Sequence, residues 1–184
     1  FFDGRLNASL AYFHLNQDNY AVSTGNRTPS GTTAYRAVSG VKTKGIELQV
    51  SGAVTPAWQL HAGITHQKSR RLGEPVSTLA PESQLSLYTS YKLGAGFSGL
   101  SVGAGARWQD DTWSNVSHPS GGKVRHTVKS FWLLDASARY QFSKQLSGSL
   151  AVNNLLDKKY YTVFDSNYSW GEPRSFNVSL RYDF

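Results

Sequence analysis

Five histidines, His14, His61, His66, His118 and His126, are the residues in this sequence best suited to metal binding or proton transfer. None of them repeats at a metal-ligand spacing, and the chain has no Cys to complete a thiolate site. No metal centre and no cofactor are therefore expected, and His118 and His126, which share one polar segment, read as solvated loop residues. Asp110-Asp111 has the composition of a paired-carboxylate site, but adjacent residues on an extended chain project to opposite faces, so the pair reads as the start of a loop. The Ser-rich stretches have no partner base and no strand-to-helix elbow. These features point away from an enzyme and toward recognition. Tyr20, Tyr35, Trp113, Tyr161, Tyr168 and Trp170, with Arg27, Arg36, Lys123 and Arg125, sit in polar connecting segments. Together they offer stacking faces and charged donors for a polar, often anionic ligand. Trp113 and Trp170 are the leading pair; the competing reading is that loop aromatics pack the loops against one another.

The elements that must carry those segments are strands. From Arg174 to Phe184 the chain alternates polar and apolar, putting Phe176, Val178, Leu180, Tyr182 and Phe184 on one face and Ser175, Asn177, Ser179, Arg181 and Asp183 on the other. Seven further stretches alternate in the same way: about 5–15, 44–54, 58–67, 84–93, 99–109, 129–142 and 146–156. An apolar outside, a polar inside and roughly ten residues per strand are what a transmembrane β-barrel requires. No stretch approaches the ~18 apolar residues of a membrane-spanning helix, and mean hydropathy is mildly polar, as expected when lumen-facing residues dilute lipid-facing ones.

Connections alternate in length. Thr55-Pro56-Ala57, residues 94–98 and Ser143-Lys144-Gln145 are short, whereas about 17–43, 68–82, 110–128 and 157–173 are long and polar. Short turns on one rim and long loops on the other match an outer-membrane barrel with its long loops outside. With strand directions assigned on loop length alone, Trp58, Tyr91, Tyr140, Phe142, Tyr182 and Phe184 fall at the periplasmic ends and Tyr12, Trp108 and Trp132 at the outer ends. Two interfacial aromatic belts result. The formal charge of +7 is scattered over loops without the stripe of a nucleic-acid footprint, so lipid and lipopolysaccharide are the expected contacts and nucleic acid is not.

Eight strands suffice for a small closed barrel, and a self-contained porin- or adhesin-like protein and a soluble β-sandwich binding domain are the alternatives. Against the small barrel, Ser, Gly and Ala dominate several inward positions and would fill a narrow lumen poorly. The sequence opens on Phe1 without an initiator Met or the pattern of a signal peptide, and Asp3-Gly4 is a turn dipeptide running straight into a strand. The chain is expected to begin inside a larger β-structure.

Three motifs carry a family resemblance: residues 40–52 (GVKTKGIELQVSG), 152–161 (VNNLLDKKYY) and 171–184 (GEPRSFNVSLRYDF). In this order, closing the chain, they resemble the C-terminal barrel of TonB-dependent ferric-siderophore receptors of the pyoverdine, coprogen or ferrioxamine type. The resemblance implies that residues 1–184 are the last eight strands of a roughly 22-stranded transmembrane outer-membrane β-barrel, all antiparallel, with plug and earlier strands elsewhere. It implies transport of a ferric siderophore across the bacterial outer membrane, energised by the TonB complex. Iron would arrive fully ligated by the siderophore, so Trp113, Trp170, Tyr168, Tyr161, Tyr35 and Arg125 would contact ligand without ligating metal. Leu180, Tyr182 and Phe184 resemble the signal read by the barrel assembly machinery. Inward Glu47, Arg107, Asp135, Arg139, Arg181 and Asp183 are expected to form lumen ion pairs or to meet the plug.

Overall fold

A computed structural model describes residues 5–77, 79–164 and 167–184 of the chain. The Asp3-Gly4 turn lies outside the described residues. Among the described residues fifteen strands follow one another: β1 (Leu6–Asn16), β2 (Tyr20–Arg27), β3 (Thr33–Val38), β4 (Lys42–Thr55), β5 (Trp58–Arg71), β6 (Glu74–Pro75), β7 (Ser83–Lys92), β8 (Leu100–Gln109), β9 (Thr112–Ser117), β10 (Lys123–Val128), β11 (Phe131–Gln141), β12 (Leu146–Asn153), β13 (Tyr161–Phe164), β14 (Asn167–Trp170) and β15 (Ser175–Tyr182). Eight of them form one antiparallel wall in the order β1-β4-β5-β7-β8-β11-β12-β15, with β6 added to β5. Every one of the eight coincides with an expected segment. β1 and β15 do not pair, so the wall is an open meander and not a closed small barrel.

The register explains why the alternation holds. Leu10, Leu48, Ile64, Leu85, Trp108 and Trp132 stand opposite one another in one row, and Val50, Ala62, Leu87, Ala106 and Leu134 in the next. A slip of one residue in β4 would place Gln49, with Glu47 or Ser51, in these rows. The other face carries Glu47, Gln49, His61, Gly63, Ser86, Arg107, Asp135, Ser137, Ser149 and Ser179. On β11, Leu134, Ala136, Ala138 and Tyr140 therefore face outward, and Arg139 faces inward, where its guanidinium donates to Ser147 Oγ at 3.1 Å.

A soluble domain buries its sheet against a second layer; this wall is one layer thick. Among the described residues the buried apolar side chains are Val128, Phe131, Leu133 and Val163, all at the outer end, beneath the long connections. Val178, on the apolar face of β15, is 80% exposed. A continuous exposed apolar face of this extent is stable only in hydrocarbon or against a partner.

The belts are present as ring contacts. Trp58 stands opposite Tyr91 and its indole N–H donates to Thr89 Oγ1 at 2.7 Å. Tyr140 meets Phe142 and Tyr182 meets Phe184 edge-to-face, with centroids 5.0 and 5.1 Å apart. At the other rim Trp108 and Trp132 lie 6.1 Å apart.

Where the sequence suggests long polar loops, the structure has secondary structure. β2–β3, β9–β10 and β13–β14 are hairpins standing on the outer rim. Their tips carry the turn chemistry that permits them: Gly31 follows Pro29-Ser30, and Gly121 and Gly122 follow Pro119-Ser120, all three glycines at positive φ.

Candidate functional site

Two of the outer hairpins bring most of the recognition candidates together. β13 packs against β9 and β10. The face of β13–β14 that bears Tyr161, Val163, Tyr168 and Trp170 meets the face of β9–β10 that bears Ser114, His126 and Val128, and Val163, Ser114 and Val128 are buried there. His126 is the centre of the contact. Its ring stands edge-on to Tyr168 at 5.7 Å and 6.1 Å from Tyr161, and Nε2 lies 3.3 Å from the Tyr161 hydroxyl. Tyr161 also stacks on Trp170 at 5.3 Å. His126 is thus a half-buried packing residue, whereas alternation-blind reading of a polar segment makes it solvated. The Val124-His126-Val128 alternation was the available signal.

Tyr161 commits its ring to joining the hairpins. Tyr168 and Trp170 keep open faces, with Trp170 70% exposed. On the opposite face of β9–β10, Trp113 sits beneath Arg125, whose guanidinium carbon lies 4.2 Å from the ring centroid, a cation–π arrangement. Ser77 Oγ donates to the Trp113 carbonyl and ties this hairpin to the connection between β5 and β7. Trp113 lines two adjoining cavities. One, of about 220 Å³, includes Glu82, Asp111 and Arg125; the other, of about 760 Å³, includes Thr43, Arg71 and Asn115. Tyr35 is on β3, a hairpin that contacts neither of the others, and is 64% exposed. The Tyr20 side chain lies outside the described residues.

Rigid placement of the hairpins depends on a set of short polar side chains. Asp135, on the inner face of β11, accepts from Arg107 Nε and Nη2 at 3.3 and 3.2 Å and from the Asn154 amide at 2.9 Å. Asn154 is buried, and φ of 50° places it in the left-handed region that Asn tolerates. Its Oδ1 accepts the Lys158 amide at 2.8 Å, and its Nδ2 donates to the carbonyls of Lys158 and Glu172 at 3.0 and 3.1 Å. One side chain thereby closes both ends of the last outer connection. Tyr160 fills the space inside, its ring 4.8 Å from Phe131; a Cβ at Gly171 would lie 2.0 Å from that ring, so only glycine fits. Of the other inward charges, Arg181 pairs with Asp183 at 2.8 Å.

Two carboxylates pin the bases of the hairpins. Asp111 accepts the Ser130 amide at 2.6 Å and pairs with Lys129 at 3.3 Å. Asp157 accepts the Arg174 amide at 3.0 Å and pairs with Lys159 at 3.1 Å. The Ser130 and Arg174 N–H groups, and then the lysines, hold both carboxyls below their ordinary value of 3.8. A released loop would bind the proton more tightly than the anchored one, so anchoring is complete above the ordinary value and is lost as pH falls through the lowered ones. Protection of the Ser130 and Arg174 amides, measured relative to their intrinsic exchange rates at each pH, is therefore expected to fall in acid while protection in the middle of β8 and β11 does not. Equal protection of both amides on either side of this range would contradict the anchoring role.

The family described as "TonB dependent receptor-like, beta-barrel" matches residues 1–155. The chain is 43% identical over 193 aligned residues to the ferripyoverdine receptor of Pseudomonas aeruginosa, covering 100% of this chain and 24% of the receptor. It is 33% identical over 188 residues to the ferric-pyoverdine 358 receptor of Pseudomonas putida, covering 100% of this chain and 23% of that receptor. The crystal structure of the Pseudomonas aeruginosa ferripyoverdine receptor bound to ferripyoverdine superposes with a TM-score of 0.92 at 42% identity, over 100% of this chain and 26% of that one. This chain spans about a quarter of the length of the relatives it matches.

Proposed function

Because the chain belongs to the TonB-dependent receptor-like β-barrel family, we propose that it is barrel wall and outer loops of an outer-membrane receptor for a ferric siderophore of the pyoverdine class. The observation that carries this reading is the 43% identity to a ferripyoverdine receptor over an alignment that covers the whole chain. The one-layer wall with an apolar outer face, aromatic rings at both rims and, among the described residues, β1 and β15 at its two ends without a further strand beside them supports insertion into a larger barrel. Trp113 with Arg125, and Trp170 with Tyr168, present open faces and a cation to the outer rim, where a chelate with its iron already ligated needs stacking and charge-assisted hydrogen bonds. Tyr161 holds their two hairpins together, and Tyr35 would meet ligand only from a separate hairpin. The chemistry is binding and passage, with no bond made or broken. Energy would come through the TonB complex acting on parts of the receptor beyond this wall.

Uptake of iron-55-labelled ferric pyoverdine by cells lacking the endogenous receptors and expressing the full-length protein tests the proposal. Energy-dependent uptake of a pyoverdine, and little of an unrelated hydroxamate chelate, is expected; no uptake of any pyoverdine would refute it.

Leu180, Tyr182 and Phe184 would serve assembly. Phe184 is fully exposed at the end of β15, so its loss costs the finished barrel at most ~2 kcal/mol. Deleting it is expected to lower the surface level of the full-length receptor far more than it lowers the thermal stability of whatever assembles. Equal surface levels of wild type and deletion would count against a signal.

A further inference from the structure

On the outward, apolar side of the wall, the outer ends of β4 and β5 carry cations in place of the aromatic residues found there on β1, β8 and β11. Lys42 stands directly opposite Arg70, and Lys44 directly opposite Lys68, with His14 flanking Lys44 from β1. All four cations are exposed. Directly opposed like charges on a sheet face destabilise it, and the outward positions of β1, β4, β5 and β7 contain no Asp or Glu to offset them. Glu47 projects from the inward face, and Glu74 stands opposite Arg71 on that same side. Among the described residues none of the four is in an ion pair; the Arg70 guanidinium donates only to the Gly73 carbonyl, at 2.7 Å.

Snorkelling of long basic side chains toward water accounts for a single lysine at a membrane boundary, but not for two stacked cationic rungs confined to one rim. The inner ends of the same face hold Trp58, Tyr91, Tyr140 and Tyr182, and no cation. Rungs two residues apart are separated by about 7 Å along the strands, room for two phosphates side by side. The four cations share the lining of a groove of about 710 Å³ with Tyr12 and Ile46, and the apolar row of Leu10, Leu48 and Ile64 begins one step further in.

We propose that Lys42, Lys44, Lys68 and Arg70 form a binding site for the phosphates of an outer-leaflet phosphorylated glycolipid, whose acyl chains lie on Tyr12, Ile46, Leu10, Leu48 and Ile64. The site's position commits it to a lipid: the cations face the same direction as the lipid-exposed rows, away from the lumen through which a soluble anion would pass. The inference rests on the outer-membrane reading above and adds to it one lipid, one place and one contact chemistry.

The test uses the purified full-length receptor in detergent, titrated with bisphosphorylated lipid A and followed by native mass spectrometry. Lys44→Gln combined with Lys68→Gln is expected to weaken binding about tenfold or more. Lys68→Glu alone converts a repulsive rung into an attractive one, so it favours the fold while it removes the phosphate partner; it should keep wild-type surface levels and siderophore uptake and still lose the lipid. Unchanged lipid affinity in both variants would overturn the proposal. Equal binding of dephosphorylated lipid A, or displacement by inorganic phosphate at matched concentration, would also overturn it, the latter by assigning the site to a free anion. Failure of the membrane reading looks different: the wild-type receptor would then be missing from the outer-membrane fraction and take up no siderophore.

Discussion

Trp113→Ala in the full-length receptor is expected to weaken binding of its ferric siderophore about thirty-fold, the ~2 kcal/mol that truncation of a well-packed aromatic anchor costs. The ring is half-buried, covered on one face by Arg125 at 4.2 Å and open to two cavities. Removing it therefore deletes a stacking surface and also frees the guanidinium from its position. Trp170→Ala is expected to act in the same direction, since most of that ring is exposed and its backbone is held in β14 by pairing with Tyr161. Trp132→Ala supplies the contrast. Trp132 faces outward beside Trp108, so its loss should leave ligand affinity unchanged and disturb membrane placement. Fluorescence titration of purified variants decides the matter, and unchanged affinity in both Trp113→Ala and Trp170→Ala would leave the proposed site without support.

Asn154→Ala should release the last outer connection. Three hydrogen bonds disappear from a buried side chain, the Lys158 amide and the carbonyls of Lys158 and Glu172 lose their partner, and alanine must adopt φ near 50°. Losing three part-buried hydrogen bonds, each contributing ~0.5–1.5 kcal/mol, should raise the local opening constant by roughly tenfold to a hundredfold. Trypsin added to intact cells should then cut at Lys158, Lys159 or Arg174 in the variant and not in the wild type. The pairing of β12 with β15 lies below the connection and should survive, which amide exchange at Leu150 and Val178 would report. An Asn154→Ala receptor as resistant to trypsin as the wild type would refute the clamp.

The Asn154 effect reaches ligand by position, whereas the Trp113 effect removes a contact. Asn154 touches no open face, yet it fixes the connection that carries Tyr161, Tyr168 and Trp170, and through Tyr161 and His126 it steadies β9–β10. Its partner Asp135 joins the clamp to the inner wall through Arg107. Loss of the clamp should accordingly reduce siderophore affinity less than loss of Trp113, and by broadening the range of hairpin positions more than by removing a contact.

The wall was legible in the sequence because a strand with lipid on one side and water on the other writes a period of two into every position. Leu85, Leu87, Thr89 and Tyr91 can be assigned to one face without knowing their neighbours. The parity of loop lengths then orders the strands, because tight turns force sequential antiparallel pairing. The aromatic rims and the family motifs follow from residue identity alone. Tertiary structure decided what the outer connections do. Whether Tyr161 meets ligand or His126 depends on two hairpins 35 residues apart packing face to face, a contact that no local pattern specifies. The inward charges behave the same way: Arg107 pairs with Asp135 because β8 and β11 are adjacent at a particular register. The cationic rungs are the sharpest case. Lys42, Lys44, Lys68 and Arg70 are scattered basic residues along the chain, and only the pairing of β4 with β5 makes them one site.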